Sequence, residues 1–375
     1  MTNIRIAIVA ASPDIVGGQG VQARSLVEAL ERDGCDVRFV PIDPRFPRGL
    51  RALRAVRGLR TVINQCLYLP SLLRLASVDA VHVFSASYWS FLLAPVPAMI
   101  AGRAFGKRVI LHYHSGEADD HLARWGVLVH PWLRLAQHIV VPSEYLRGVF
   151  ARYGYAAHVI PNVVDVTRFH YRERRPLRPR ILSARNLDPY YRVDLVIEAF
   201  ARFRALEPDA RLTIAGYGRE EERLRALAAA VAPDAIQFVG RVDPDAMPRL
   251  YAAHDIFVNA SELDNQPVSL LEAVASGLPV VSTAVVEVPF MIDDGQTGLL
   301  AACGDVAGLA DRIVAVWRDP NAARERARRA HEGIAAYTWS AVRDRWTEIY
   351  GGTRQQLPQN PQSPRFGKLT ASRLP

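Results

Sequence analysis

The residues best placed by type and spacing to do chemistry lie in one run, Ala260–Val281, with the sequence ASELDNQPVSLLEAVASGLPVV. Asp264 sits in a polar loop, Pro267 stands where a helix would begin, and Glu272 follows one and a half turns later. Proline suits a first helical turn because the N–H it lacks has no partner there. A helix start offers free backbone N–H groups and the positive end of the dipole, which together hold anions. A carboxylate within such a helix can accept hydrogen bonds from a sugar diol. Taken alone, the same residues also fit a capping Asp264 and a solvated Glu272. Gly277 and Pro279 mark the end of the helix.

Two further clusters carry weaker signals. Gly17-Gly18-Gln19-Gly20 follows the strand-like Ile4–Ala10 and opens a helix with Val21, Ala23, Leu26, Val27 and Leu30 on one face. A glycine loop there could cradle a phosphate. It lacks the GxGxxG spacing of dinucleotide binding, so a nicotinamide-dependent oxidoreductase is a weak rival reading. Leu111-His-Tyr-His-Ser-Gly116 puts His112 and His114 on one face of a strand. No His, Asp or Cys group has metal-ligand spacing, so no metal is expected. Cys35, Cys66 and Cys303 are far apart and odd in number, which argues against a disulfide framework and suits a reducing cytoplasm.

The elements that must position these groups alternate strand and helix along almost the whole chain. Strands are expected at Ile4–Ala10, Val37–Val40, Ala80–Phe84, Val109–Tyr113 and His138–Val141, and again at Ile181–Ser183, Leu212–Ala215, Ile236–Val239, Ile256–Asn259 and Val280–Ser282. Helices are expected between them, notably Val193–Leu206, Glu220–Ala232 and Pro267–Ala275. This is the α/β pattern of parallel sheets covered by helices on both faces. Arg172–Arg180, RERRPLRPR, has two prolines, five arginines and no apolar period, and reads as a linker between two Rossmann-like halves. A cleft between such halves is a common ligand site. The expected division is 1–171, linker 172–180, 181–335, a C-terminal helix over 336–350, and a Gln/Pro-rich tail over 351–375 that reads as disordered.

A chain of 375 residues has room for two to three domains, and its 50% hydrophobic and 22% charged content excludes wholesale disorder. The formal net charge is +8, and all but Lys107 and Lys368 of the 46 basic residues are arginine. Arginine recognises phosphate well, though an arginine-rich composition by itself reflects no particular partner. No signal-peptide pattern is visible before Ile4, and the apolar run Phe91–Ala101 is too short and proline-broken to span a bilayer. From Pro44 to Val78 there are seven arginines and no acidic residue. Arg48, Arg51, Arg54, Arg57 and Arg60 recur every three residues with leucines and a valine between them. As a helix this stretch fits either an anionic membrane surface or a solvated face. Nucleic acid is not expected, because no aromatic-interleaved basic platform appears.

The Ala260–Val281 run resembles the signature of retaining glycosyltransferases of family 4. That signature is an acidic residue, seven residues, then Glu-Ala-x-Ala-x-Gly-x-Pro-Val-Val, and here it reads Asp264 and Glu272-Ala-Val-Ala-Ser-Gly-Leu-Pro-Val-Val. Gly17-Gly18 is similar to the family's N-terminal glycine loop, Ile160-Pro-Asn-Val-Val-Asp165 to its Ile-Pro-Asn-Gly-Val-Asp segment, and Ala215-Gly216-Tyr-Gly-Arg and Val239-Gly-Arg241-Val to its second-domain strand ends. The resemblance implies the GT-B fold: two Rossmann-like domains facing each other across a cleft, with a C-terminal helix crossing back to the first. It implies a metal-independent enzyme moving a sugar, with retention, from a nucleotide diphosphate sugar to a glycan, lipid-linked or small-molecule acceptor. No cofactor is implied beyond that donor substrate. The implied location is cytoplasmic, peripheral on the inner face of the membrane if the basic stretch docks there.

Carried over residue by residue, the resemblance gives Glu272 the donor's ribose and Asp264 the transferred sugar, where the family normally has Glu. Arg185 matches the family's diphosphate arginine. The lysine that follows it in the family has no counterpart, and Arg192 is the nearest replacement. His114 matches the histidine near the transferred sugar. Gly17, Gly18, Gly216, Arg241 and Asn265 complete the expected donor contacts. Val286-Glu-Val-Pro-Phe290 replaces the family's Gly-Gly-x-Pro-Glu. Those departures motivate an alternative, a catalytically impaired GT-B protein that partners another transferase.

Overall fold

The computed structural model describes residues 4–12, 18–47, 49 and 56–351. The chain forms two compact units, one of residues up to Pro161 together with the C-terminal helix from Val342, the other from Asn162 to Ala341. The first unit holds β1 (Arg5–Ala10), β2 (Asp36–Pro41), β3 (Ala80–Ser85), β4 (Arg108–Tyr113), β5 (His138–Val141) and β6 (Ala157–Val159) in one parallel sheet of order β2-β1-β3-β4-β5-β6. The second holds β7 (Arg180–Ala184), β8 (Arg211–Ala215), β9 (Ile236–Gly240), β10 (Ile256–Val258), β11 (Val280–Thr283) and β12 (Leu299–Ala301), all parallel, in the order β12-β11-β10-β7-β8-β9.

The expected strands are all present, with no end shifted by more than one residue. The β6 and β12 strands were not expected. Each has three residues and lies at the edge of its sheet, too short for a period of two to register.

Side chains in the first sheet alternate between two helical layers. Val81, Val83, Val109, Leu111 and Tyr113 point into the core built with helices Arg57–Ser71, Pro95–Ala104 and Ala118–Leu133. His82, Phe84 and His112 take the other face. There His82 Nδ1 lies 2.6 Å from the Tyr350 hydroxyl and its ring 5.0 Å from that of Trp346, both in the C-terminal helix Trp339–Gly351. His82 Nε2 is 3.1 Å from His112 Nδ1. Burial drives His82 down to about 3 and His112 well below 6.5, so both stay neutral, as a packed core requires.

Residues 172–180, expected as a linker, fold onto the second unit instead. Arg172 and Arg178 bond the fully buried Asp255 carboxylate at 2.9 and 2.7 Å. Arg174, itself fully buried, donates to the carbonyls of Tyr251 (3.0 Å), His254 (3.2 Å) and Ser276. Three arginines spread over one acid and several carbonyls satisfy charges that would be costly if left alone. The apolar pattern is silent about the segment because its order is polar. The tail from residue 352 lies outside the described residues.

Candidate functional site

In each sheet the strand order reverses once. In the second unit β7 leads on to β8 while its neighbour β10 leads on to β11. The chain leaves the carboxyl ends of these two strands in opposite directions and opens a crevice between their loops, the usual ligand position in open α/β sheets. Arg185 is the first residue after β7. The loop after β10 carries Asp264 and runs into the helix Val268–Ala275. Sequence-distant groups meet here because the topology requires it.

The helix starts one residue later than expected. Pro267 is its N-cap, in extended conformation, and its carbonyl accepts from the N–H groups of Leu270 (3.1 Å) and Leu271 (3.3 Å). At the other end Gly277 has φ +75°, its N–H bonds the Val274 carbonyl at 3.0 Å, and the Leu278 N–H bonds that of Ala273 at 3.0 Å. This is the paired closure that favours glycine. A Cβ on Gly277 would also lie 2.7 Å from the Tyr171 ring. Every residue of the helix from Ser269 to Ala275 is buried, Glu272 included. Glu272 is therefore not the solvated helix-face carboxylate that composition alone allows.

Arg185 and Asp264 form a buried ion pair, 2.7 Å from guanidinium to carboxylate, with side chains 10% and 8% exposed. Arg185 also donates to the Ser269 hydroxyl at 3.2 Å and lies over the Tyr191 ring, 4.1 Å from its centroid. Burial works against the guanidinium charge, and Asp264 with Tyr191 and Tyr251 together more than offsets it. Burial likewise raises the Asp264 carboxyl, against the pull of Arg185. Glu272 is pushed up to about 7, chiefly by burial, with a hydrogen bond to Tyr251 and the charges of Arg168 and Arg185 opposing. The Tyr251 hydroxyl donates to the Ser269 carbonyl at 3.0 Å.

Glycine is needed at the strand ends for close approach. A Cβ on Gly216 would sit 1.9 Å from the Arg185 carbonyl oxygen, and one on Gly218 would sit 2.4 Å from that of Leu187. These glycines let the loop after β8 press against Arg185 and set its position. Asn265 is buried in the loop. Arg241 is exposed just beyond β9. Arg192 has φ +45° and is held by Asp194 (3.1 Å) and by Glu262. In the first unit His114 follows β4, donates its backbone N–H to the Ser85 carbonyl at 3.2 Å and stacks its ring on Phe84 at 5.2 Å. Burial lowers it to about 3. Gly18 opens the helix Gly18–Arg32, whose Gln19 side chain donates to the Ser85 carbonyl at 2.9 Å, and Gly17 lies outside the described residues.

The structure therefore brings Arg185, Asp264, Asn265, Glu272 and Gly216 to one switch point of the second unit. Three partners were not anticipated. The Ser269 hydroxyl accepts from Arg185, Tyr251 meets the Ser269 carbonyl and Glu272, and Gln266 accepts from the Asn162 backbone N–H while its carbonyl accepts from the Asn162 amide at 3.0 Å. Tyr251 comes from a separate helix with no spacing to flag it. Asn162 stands inside the Ile-Pro-Asn segment, which is the signal that could have found it. Among the described residues no group of His, Cys, Asp and Glu could hold a metal ion.

Val286 stands where the resemblance places a glycine, and it has φ +49°, a conformation L side chains rarely adopt. The backbone keeps the glycine-type turn while the sequence does not. Left-handed backbone costs an L residue about 1–2 kcal/mol. Val286→Gly is therefore expected to cost at least about 1 kcal/mol less stability than Val285→Gly, whose residue has ordinary φ and is buried. Chemical denaturation of the two variants measures this, and equal losses would mean the turn is unstrained.

Known proteins agree with this layout. Residues 170–333 match the family described as Glycosyl transferases group 1, and residues 16–168 match Glycosyltransferase Family 4. The chain is 30% identical over 267 residues to a glycogen synthase of Mycobacterium tuberculosis, a match covering 66% of this chain and 63% of that relative's length. It is 25% identical over 359 residues to N-acetyl-alpha-D-glucosaminyl L-malate synthase of Bacillus anthracis, covering 85% of this chain and 89% of that protein. The crystal structure of Anabaena Alr3699/HepE in complex with UDP-glucose superposes with a TM-score of 0.73 at 17% identity, covering 93% of this chain and 100% of that one. With both units matched in order and the fold shared, the chain belongs to the group 1, family 4 glycosyltransferases of GT-B fold.

Proposed function

We propose that the protein transfers a sugar, with retention and without a metal, from a nucleoside diphosphate sugar to a glycan, lipid-linked or small-molecule acceptor. The observation that carries the reading is the buried Arg185–Asp264 pair at the switch point, beside the helix that holds Glu272. In this assignment the second unit, Asn162–Ala341, binds the donor and the first unit the acceptor. The ionised Glu272 accepts hydrogen bonds from the ribose hydroxyls. Arg185, with Arg192 as second cation, stabilises the charge that grows on the diphosphate as the glycosidic bond breaks. Asp264 and Asn265 are assigned to the transferred sugar and Gly216 and Arg241 to the donor's path, while His114 and Gly18 keep the roles that the resemblance gives them. The departing phosphate takes the acceptor's proton, so the carboxylate pair of glycosidases is not required. Supporting this reading, the Anabaena relative in fold was crystallised with UDP-glucose, and the two sequence relatives are named for glycosyl transfer products. The proposed location is cytoplasmic, peripheral at an anionic membrane surface. Among the described residues no helix is long and apolar enough to cross a membrane.

A second reading, a catalytically impaired binding partner of another transferase, is favoured by Arg192, whose guanidinium is already held by Asp194 and Glu262. One screen tests the donor site. A nucleoside diphosphate that binds only the folded state should add about 2.7 kcal/mol at 100 times Kd. Thermal shift with UDP, GDP and ADP is expected to single out one of them, and Glu272→Ala should abolish that shift. No shift with any would refute the donor site, whereas a shift without hydrolysis or transfer of the matching sugar would select the impaired partner.

A further inference from the structure

The helix Arg57–Ser71 and the turn after it carry two apolar rows. Tyr68, Leu72 and Leu75 are buried against the first sheet. Leu59, Val62, Cys66, Leu69 and Leu73 form a second row on the opposite side, and all five are exposed, Val62 by 58% and Leu73 by 69%. Their spacing of three and four residues keeps them in line over roughly 20 Å. The acid-free, arginine-rich stretch had suggested a basic helix whose arginines make the contact. Arg48, Arg51 and Arg54 lie outside the described residues, and the described helix begins at Arg57 with its outward side apolar.

The row shares its helical layer with other exposed apolar side chains. The step from β2 to β3 and the steps from β3 through β5 all run in the same direction across the sheet, so right-handed crossovers put their helices in one layer. The shared core of that layer agrees. Its helices Tyr88–Leu93 and Ala118–Leu133 present Trp89, 65% exposed, and Val127, 91% exposed, with the Trp89 ring edge-on to Trp125 at 5.2 Å. Exposed aliphatic and aromatic side chains sharing one layer, with exposed arginines Arg60, Arg74 and Arg103 among them, are unusual for a surface facing only water.

We propose that this face docks on an anionic lipid bilayer, with the row from Leu59 to Leu73 immersed at the boundary of headgroups and acyl chains. The proposal deepens the anionic-surface reading above by assigning the contact to a defined apolar row. Charge selects the occupant. The same heptad spacing would suit pairing with a second copy of the helix. In a self-pair, however, the exposed Arg60 and Arg74 beside the row would meet their own copies, and the sequence from Pro44 to Val78 has no acidic residue to set against them. Lipid phosphates supply the missing counter-charge, and the acyl region takes the leucines, the arrangement of an interfacial amphipathic helix.

Sedimentation with vesicles tests this on the full chain and needs no donor, so its result is independent of the transferase reading. The parent is expected to sediment with vesicles of phosphatidylcholine mixed with phosphatidylglycerol and far less with phosphatidylcholine alone. Combined Val62→Ser, Leu69→Ser and Leu73→Ser should lower the partition coefficient by roughly tenfold or more. These side chains are exposed, so the thermal unfolding of the variant should match the parent and certify its fold. Salt should weaken parent binding without abolishing it. Sedimentation of the triple variant equal to the parent, with loss only on Arg60→Gln and Arg74→Gln, would overturn immersion and leave a purely electrostatic contact. No parent binding to anionic vesicles would overturn both. A parent that is dimeric in solution and becomes monomeric in the triple variant, without vesicle binding, would assign the row to a second copy and overturn the proposal.

Discussion

Arg185→Ala is expected to destabilise the second unit by about 3–5 kcal/mol and to remove nucleoside diphosphate binding with it. The guanidinium is the counter-ion of the buried Asp264, a donor to Ser269 at 3.2 Å and the cation over Tyr191. Truncation leaves the Asp264 carboxylate buried without its partner, and that uncompensated charge accounts for most of the expected loss. The coupling separates the structural role from the binding role. Asp264→Asn in the Arg185→Ala background removes the orphaned charge, so stability should return by about 2 kcal/mol or more while diphosphate binding stays lost. Denaturant unfolding and calorimetric titration of the two single variants and the double variant give the cycle. If Arg185→Ala unfolds within 1 kcal/mol of the parent, the pair is solvated in solution and its place as the organising charge of the site is wrong.

Why this pair escapes a reading of the chain, when its helix does not, is a matter of range. The helix Val268–Ala275, its start near Pro267 and its close at Gly277 follow from local rules, because caps and left-handed glycines act over a few residues. The strands follow from continuous apolar runs, since both faces of a parallel sheet are covered. What no local pattern reports is that β7 and β10 are neighbours, and that adjacency alone places Arg185 on Asp264. The family resemblance names both residues but not their contact. Segments ordered by polar contacts are equally illegible. The run from Arg172 to Arg180 reads as a linker by composition, and three of its arginines are anchored around Asp255 and nearby carbonyls. Val286 fails for another reason. A valine predicts extended backbone, and the left-handed turn it occupies is imposed by the surrounding fold. The outward row Leu59–Leu73 shows the limit of amphipathic reading. With buried apolar residues on one side of the helix and exposed ones on another, periodicity cannot tell which row faces the core.

Nucleoside diphosphate affinity is expected to rise about tenfold between pH 6 and pH 8 through Glu272 alone. Burial lifts its carboxyl from 4.5 to about 7. The unfolded chain releases this proton near 4.5 and the folded protein keeps it until about 7. The folded state therefore binds the extra proton in that window, and stability falls as pH rises through it, by up to about 3 kcal/mol once the carboxylate is charged. A ligand that donates two ribose hydroxyls to the carboxylate favours the charged form and recovers part of that cost. With a carboxyl titrating at about 7, roughly one molecule in eleven is ionised at pH 6 and ten in eleven at pH 8, which sets the tenfold change. The terminal phosphate of the ligand titrates in the same range, so the diagnostic quantity is the difference between the parent and Glu272→Gln. The amide keeps the shape and cannot ionise. Its affinity should lack the tenfold component, and its unfolding free energy should exceed the parent's above pH 7 while approaching it near pH 4.5. Calorimetry in two buffers of different ionisation heat adds a second readout, because the parent should release close to one proton per ligand at pH 6 beyond that released by Glu272→Gln. Identical pH profiles for the two proteins would mean that Glu272 does not meet the ribose, and the donor would have to be held by other groups of the crevice.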